Sequence, residues 1–269
     1  MKVCAFGNSY MIAIKDAIEE SDSSLNGNVT FAGCYAGSFS LSFAGDVVEL
    51  GPRFHLNFAE HTGPDLRLSD YDAFLIVGLR LNFQHAAKVY TKHRLWQHAT
   101  DDHYIISEKA LQSSIKDQLS LTIAVDLARS LRQHTDKPIF LIPQPNPNEA
   151  LKSMPLTTDQ LKELHERWQV FFQDDVGIAV YSAFVRAAEA LADDLSAKFL
   201  PQPADTMSPV FTDNIYLVEL KPKFEPDPRN VRPREGDILH ANPLFGHRVM
   251  KQIEPLLTAA SRAEATPAA

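Results

Sequence analysis

Cysteine is scarce in this chain, and long apolar runs are lacking. Only two cysteines, Cys4 and Cys34, occur among 269 residues, and each lies in an apolar stretch typical of a buried strand. The N-terminal segment turns polar at Asn8 and Ser9, so its apolar run is too short for a secretory signal. No apolar segment approaches the roughly 20 residues that a membrane span requires. We therefore expect buried thiols, no membrane association and a cytoplasmic protein.

Basic clusters and cofactor motifs are also lacking. Acidic residues outnumber basic ones by 34 to 26, and no Lys/Arg-rich stretch is available to contact phosphate backbones, so nucleic acid is not an expected partner. No Gly-x-Gly-x-x-Gly motif opens the first helix, and we expect no dinucleotide cofactor. One polar stretch is rich in histidine but lacks the helix-face pair of a metal site, so we expect no metal at these residues: His85, His93, His98 and His103.

The pattern of the remaining residues predicts an α/β fold. Apolar residues make up 45% of the chain and charged residues 22%, as in ordinary globular proteins. Continuous apolar runs at 72–78 and 138–142 are typical of strands that helices cover on both faces, and helical patterns alternate with such runs. We predict a single domain over residues 1–258 with three α/β/α layers around a parallel sheet, and a disordered tail over 259–269.

Helix bounds follow from the spacing of apolar residues. One long helix is predicted from Ser107 to His134, and a last helix from about Pro243 to Leu257. A helical region from Thr157 to Leu195 is predicted between them, and we expect Gly177 to divide it in two.

Polar residues and glycines follow several of the predicted strands. Ser9, Gly37, the stretch 78–82 and Gln144 each come directly after one of them. In an open parallel sheet, the loops at the carboxyl ends of the strands converge on one crevice. The sequence therefore predicts a functional site built from these four places.

Ser9 is the candidate nucleophile of this site. It lies between a strand and a helix, where its N–H can point into the crevice and the helix N-terminus favours developing negative charge. A serine hydroxyl needs a neighbouring base to take its proton. Asp237 and His240 come shortly before the last helix, at a spacing that lets the carboxylate hold one ring nitrogen while the other faces the serine. We therefore predict a Ser-His-Asp triad.

Two sequence blocks make the chain resemble the SGNH (GDSL-type) hydrolase superfamily. Gly7-Asn8-Ser9 is similar to the first block of that family, and Asp237-Ile-Leu-His240-Ala-Asn is similar to the last. The resemblance implies a flavodoxin-like sheet with helices on both faces and ester hydrolysis without a cofactor, or acyl transfer in some members. It also implies that Ser9 is the nucleophile, His240 the general base and Asp237 its partner.

The oxyanion side of the site departs from that family. The resemblance implies that the N–H groups of Ser9 and Gly37 donate to the oxyanion. The third block of the family, Gly-x-Asn-Asp, is not reproduced, because Leu-Arg-Leu-Asn follows Gly78 and places Arg80 at the position of the family's asparagine. Either Asn82 reaches the oxyanion from a longer loop, or Arg80 supplies the donor, or the third donor is missing. Loss of one donor typically costs about a hundred- to a thousand-fold in rate.

The expected function is that of a serine ester hydrolase, an esterase or deacetylase acting on an acylated small molecule or carbohydrate. A lipase is not expected, because the chain lacks a long apolar lid. Two alternatives stay open: an acyltransferase that uses the same triad, and a catalytically silent binding module that keeps the shape of the site.

Overall fold

The structure is a computed structural model and describes residues 1–21, 23, 25–34, 39–57, 59–60, 65–99, 102–217 and 237–265. In these ranges the helices are α1 (Met11–Glu19), α2 (Gln84–Tyr90), α3 (Glu108–Ser120), α4 (Ile123–Arg132), α5 (Asp159–Trp168), α6 (Asp174–Asp194) and α7 (Pro243–Ala265). The strands are β1 (Val3–Gly7), β2 (Val29–Gly33), β3 (Leu41–Ala44), β4 (Val47–Leu50), β5 (His55–Leu56), β6 (Ala59–Glu60), β7 (Leu66–Arg67), β8 (Ala73–Val77), β9 (His93–Leu95), β10 (Tyr104–Ile106), β11 (Ile139–Ile142), β12 (Lys198–Phe199), β13 (Met207–Ser208) and β14 (Phe211–Thr212).

The central sheet is mostly parallel, as the continuous apolar runs predict. Its strand order is β12-β11-β8-β1-β2-β5-β6. The five strands from β12 to β2 pair in parallel, whereas β5 and β6 extend the β2 edge as an antiparallel pair. Every residue of β1, β8 and β11 is buried, which explains why these strands are apolar throughout rather than alternating. The predicted α/β class is confirmed.

The strands of this sheet contribute alternate residues to two apolar clusters. Phe6 and Phe74 belong to a large cluster that also contains residues of α2, α3, α4, α5 and α6. Ala5 and Leu75, their neighbours in the strands, belong to a second cluster with residues of α1 and α7. Successive side chains of a strand point to opposite faces, so each cluster covers one face of the sheet.

The prediction of one long helix from Ser107 to His134 is wrong, because the chain breaks between α3 and α4. Thr122 has extended backbone angles (φ −87°, ψ 151°), and its hydroxyl donates to the carbonyl of Leu119 at 2.7 Å. The break lets the start of α4 contact the segment after β8, since the N–H of Ala124 donates to the carbonyl of Leu79 at 3.1 Å. The apolar stripe runs across the break and so conceals it in the sequence.

Two further helix bounds differ from expectation. Gly177 does not divide the second helical region, which breaks instead at Gln173 (φ −85°, ψ 115°) before α6 begins. Gly177 lies inside α6, where a Cβ would come within 2.9 Å of a methyl group of Val210, so this glycine permits close packing. The last helix continues past Leu257 to Ala265, and residues 266–269 of the expected tail lie outside the described residues. No helix in the described part of the chain is both long and apolar enough to cross a membrane.

The first and last helices pack closely against each other. A Cβ at Gly246 of α7 would lie 1.9 Å from the carbonyl oxygen of Ala13 and 2.8 Å from the Cβ of Ala17, both in α1. Only glycine lets the two helices approach to this distance. Because α1 starts just after Ser9 and α7 starts just after His240, this contact sets the spacing of the two predicted site residues.

Both cysteines are buried thiols, as expected. Burial raises the pKa of Cys4, which lies in β1, well above its usual range. Burial also raises the pKa of Cys34, which follows β2, to about 11. Both side chains are therefore protonated and unreactive at neutral pH.

Candidate active site

The turn between β1 and α1 carries Ser9. β1 ends at Gly7, where a Cβ would lie 2.6 Å from the carbonyl oxygen of Val77 and 2.7 Å from Cγ of Met11. A side chain at this position would therefore collide with both the neighbouring strand and the following helix. The carbonyl of Ser9 accepts the N–H of Ile12 at 3.2 Å, so the helix forms directly after the serine. Ser9 itself is partly buried at the carboxyl end of β1.

Ser9, His240 and Asp237 form a continuous chain of hydrogen bonds. The distance between Oγ of Ser9 and Nε2 of His240 is 2.8 Å. On the other side of the ring, Nδ1 of His240 lies 2.7 Å from Oδ2 of Asp237. Because a carboxylate accepts only, Nδ1 carries the proton and Nε2 is left as the acceptor for the serine hydroxyl. The three residues predicted as a triad are thus brought together in an order that permits proton transfer from Ser9.

The second oxygen of Asp237 fixes the carboxylate to its own loop. Oδ1 accepts the backbone N–H groups of Leu239 at 3.1 Å and His240 at 3.2 Å. Burial acts to raise the pKa of the Asp237 carboxyl, but the hydrogen bond and charge of His240 and the two N–H groups outweigh it, so the pKa lies below its usual value. The carboxylate is therefore ionised at neutral pH and faces the imidazole as an anion.

The loop of residues 237–242, which carries Asp237 and His240, is held on both sides. The carbonyl of Ile238 accepts the N–H of Asn148 at 2.8 Å. The N–H of Asn242 donates to the carbonyl of Tyr216 at 2.9 Å. Ile238 is buried in the larger apolar cluster. His240 and Asp237 therefore lie on a loop that is held in place, as a preorganised site requires.

The ring of Tyr10 lies flat against the imidazole of His240. The ring centroids are 5.0 Å apart, and the planes differ by 20°. Burial, and to a smaller extent the charge of Asp237, raises the pKa of Tyr10 to about 12, so the phenol is neutral. Sequence reasoning gave Tyr10 no role, because nothing in the sequence indicates which ring it would face.

Arg80 lies in a tight left-handed turn after β8. Gly78, Leu79 and Arg80 have φ values of 72°, 49° and 68°, and the N–H of Leu81 closes the turn on the carbonyl of Gly78 at 2.9 Å. Positive φ is unfavourable for residues other than glycine, so such a turn persists only where its surroundings enforce it. The side chain of Arg80 is exposed.

Other elements bind the carbonyl groups of this turn. The start of α4 binds the Leu79 carbonyl, as described above. The carbonyl of Arg80 accepts Nε2–H of His85 at 2.9 Å, and the carbonyl of Leu81 accepts the N–H of Gln144 at 2.8 Å. Leu79 is fully buried in the larger cluster and anchors the turn. These contacts explain how the left-handed backbone is held.

Asn82 forms a side-chain pair with Gln144. Nδ2 of Asn82 donates to Oε1 of Gln144 at 2.5 Å, and Oδ1 of Asn82 accepts the N–H of Gln84 at 3.1 Å. The first bond directs the amide nitrogen of Gln144 away from Asn82. Gln144 was expected at this edge of the sheet, but its pairing with Asn82 was not.

The position of Gly78 shows that this amide pair lies beside the Ser9 turn. A Cβ built on Gly78 would be 2.6 Å from Oδ1 of Asn8, 3.2 Å from Cδ2 of Tyr10 and 3.3 Å from Cγ of Gln144. Residues on both sides of Ser9 and the side chain of Gln144 therefore meet at one glycine. Within the described residues, the N–H of Ser9 itself donates to no protein acceptor.

Comparison with known proteins identifies no relative. No protein-family model, curated protein or solved structure matches this chain.

Gly37 is outside the described residues, and its expected role as an oxyanion donor stays a prediction. Two histidines of the histidine-rich stretch have separate partners: His93 Nδ1 binds the carbonyl of Val89 at 3.2 Å, and His98 Nδ1 binds the hydroxyl of Tyr90 at 2.9 Å. No group of three or more His, Cys, Asp or Glu side chains in the described ranges could hold a metal ion.

Proposed function

We propose that this protein is a serine ester hydrolase that acts on an acylated small molecule or carbohydrate. The observation that carries the proposal is the Ser9–His240–Asp237 chain, with heavy-atom distances of 2.8 and 2.7 Å. A hydroxyl, an imidazole with a fixed tautomer and an ionised carboxylate in this order are the components that activate a serine nucleophile.

The reaction proceeds through an acyl-enzyme. Oγ of Ser9 attacks the ester carbonyl carbon while its proton passes to Nε2 of His240. The imidazolium, stabilised by the carboxylate of Asp237, then gives that proton to the oxygen of the leaving alcohol as the carbon–oxygen bond of the ester breaks. Water attacks the acyl group, His240 takes a proton from that water, and the proton returns to Ser9 as the acid is released. Atoms and charge balance without a cofactor.

The negative charge of the tetrahedral intermediate needs hydrogen-bond donors. The N–H of Ser9 is one, because it lies at the start of α1 and has no protein acceptor among the described residues. We assign the second to the Asn82–Gln144 amide pair, which borders the Ser9 turn at Gly78. The exposed guanidinium of Arg80 is less suitable, because water screens it and its turn is fixed through the backbone rather than the side chain.

We also propose that the chain is a divergent SGNH-type hydrolase with a flavodoxin-like, three-layer fold. The order β2-β1-β8-β11-β12 of the parallel strands and the two apolar clusters on opposite faces support this layering. The similarity of the two terminal blocks supports the family. The replacement of the third block by the left-handed turn and the Asn82–Gln144 pair is where this chain departs from it.

Active-site labelling tests the proposal directly. A fluorophosphonate should modify Ser9 in the wild-type protein, as located by mass spectrometry, and should not modify Ser9→Ala. His240→Ala should lose labelling because the serine is no longer activated. His134→Ala, which removes an exposed histidine that stacks on Phe43, is the matched control and should label normally. If the folded wild-type protein takes no label at Ser9, the proposal is wrong.

Product analysis then tests hydrolysis. With p-nitrophenyl acetate, the enzyme should release nitrophenol and acetate in equal amounts. Formation of an acetylated sugar from an added sugar acceptor, with little acetate, would instead identify an acyltransferase that uses the same residues.

A further inference from the structure

The contact between Tyr10 and His240 affects how the imidazole ring of the proposed site is oriented. The imidazole takes part in two hydrogen bonds: Nδ1–H donates to Asp237, and Nε2 accepts the hydroxyl of Ser9. These bonds lie near opposite ends of the ring. The ring can therefore roll about the line that joins its two partners while both partner atoms stay within reach. Directional hydrogen bonding weakens as the ring tilts, so rolling degrades the alignment that proton transfer needs.

A flat surface against one face of the ring prevents this rolling. Tyr10 supplies such a surface, because its ring is within 20° of parallel to that of His240 at a centroid distance of 5.0 Å. Aromatic faces also attract cations, so the contact strengthens when His240 becomes an imidazolium during the reaction. The high pKa of Tyr10, about 12, keeps the phenol neutral throughout.

Tyr10 itself has neighbours other than His240. Its Cδ2 lies 3.2 Å from the Cβ position of Gly78, in the left-handed turn after β8. It also packs on the apolar cluster that contains Met11 and Phe245. The tyrosine ring therefore lies beside both the imidazole of His240 and the turn that leads to Asn82.

We propose that Tyr10 is a positioning residue that keeps the imidazole of His240 in the plane needed to accept the proton of Ser9. The expected effects on reaction rate rest on the proposed hydrolase function. The restraint on the imidazole ring rests on the ring geometry alone. It adds to the Ser-His-Asp chain a fourth residue, which acts through the imidazole of His240.

Two substitutions at one position separate the ring face from the hydroxyl. Tyr10→Phe keeps the aromatic face and should retain the rate of ester hydrolysis within about threefold. Tyr10→Leu keeps an apolar side chain but removes the flat face, and should lower kcat by about ten- to a hundred-fold with little change in KM, because small misplacements of a catalytic group cost rates of this order. The rate of fluorophosphonate labelling at Ser9 should fall in the same order.

A matched control uses a tyrosine that contacts a histidine elsewhere. Tyr104 lies 5.8 Å from the ring of His93 and is 73% exposed, so Tyr104→Leu makes the same chemical change away from the proposed site. Its hydrolysis and labelling rates should equal those of the wild type. Thermal unfolding of every variant checks that the protein is folded, and Tyr10→Met provides a second non-aromatic side chain if leucine disturbs the packing.

Proton NMR gives a readout that does not depend on catalysis. The hydrogen-bonded Nδ1 proton of His240 should give a downfield resonance in the wild type and in Tyr10→Phe. It should broaden or vanish in folded Tyr10→Leu, because a rolling ring exposes that proton to exchange with water. Absence of Ser9 labelling together with this pattern would refute the hydrolase and leave the positioning role intact. Wild-type kinetics in Tyr10→Leu, equal losses in Tyr10→Phe and Tyr10→Leu, or no such resonance in the wild type would each overturn the role of Tyr10.

Discussion

Replacing Asp237 with asparagine keeps the shape of the site but reverses the proton on His240. In the wild type, Oδ1 accepts two backbone N–H groups, at 3.1 and 3.2 Å, and Oδ2 faces Nδ1 of His240 at 2.7 Å. An asparagine amide has one oxygen, and the two N–H groups require it. The NH₂ group is then directed at Nδ1, which must accept a hydrogen bond. The ring proton moves to Nε2, and Nε2 can no longer accept the proton of Ser9.

The size of the effect follows from the loss of the correct tautomer. A substitution of this kind in another triad enzyme lowers kcat by about ten-thousand-fold, which corresponds to about 5 kcal/mol of activation free energy. We expect a loss of this order for Asp237→Asn in the hydrolysis of p-nitrophenyl acetate. The unfolding temperature should change little, because the amide retains the contacts to the loop. Asp205→Asn, which removes a surface partner of Arg248 at 3.4 Å, is the matched control and should leave kcat unchanged.

A modest effect would refute this reasoning. If Asp237→Asn keeps kcat within about tenfold of the wild type, the tautomer of His240 does not limit the reaction. The carboxylate would then have only a structural role, and the proton path would have to be drawn through other groups.

Three further predictions concern the turn and the amide pair beside Ser9. Arg80→Asn should stabilise the protein by about 0.5–1 kcal/mol, because asparagine tolerates positive φ better than arginine, and denaturant unfolding should show no gain for Arg80→Lys. Gly78→Ala should destabilise the protein by about 2 kcal/mol or more and lower its activity. The control Gly27→Ala has a similar φ of 75° but no atom within 4 Å of the new Cβ, so it should cost only about 1 kcal/mol. Equal losses of stability in the two variants would show that the contacts at Gly78 are unimportant. Gln144→Leu should lower kcat about ten- to a hundred-fold with KM little changed. The control Gln133→Leu, at an exposed position, should leave kcat unchanged. An unchanged kcat in Gln144→Leu would show that the amide pair does not contribute to the proposed oxyanion site.

The sequence sufficed where the relevant signal is local. Asp237 and His240 lie on one loop, so their contact depends on a short stretch of backbone, and the position of Ser9 follows from the rule for the carboxyl ends of parallel strands. The fully apolar runs likewise predicted the buried parallel strands. Such inferences need only the chain near each residue and the general architecture.

Features that depend on distant packing were not accessible. Asn82 and Gln144 are 62 positions apart, and nothing local to either indicates the other. The helix break at Thr122 was missed because the start of α4 donates a hydrogen bond to the carbonyl of Leu79, a partner far away in the sequence. Gly177 was misjudged for the same reason: it accommodates Val210 rather than ending a helix. In each case a tertiary contact overrode the local pattern.

The close packing of α1 on α7 at Gly246 has a consequence for the timing of activity. Ser9 and His240 are 231 positions apart, and the helices that follow them are the first and last of the described chain. A ribosome therefore adds Ser9 on the order of ten seconds or more before it adds His240. A nascent or prematurely terminated chain displays an inert serine, and the reactive centre is assembled only when the last helix docks on the first. In the proposed hydrolase, ester hydrolysis therefore requires that the chain has been made through α7 and that α7 has docked on α1.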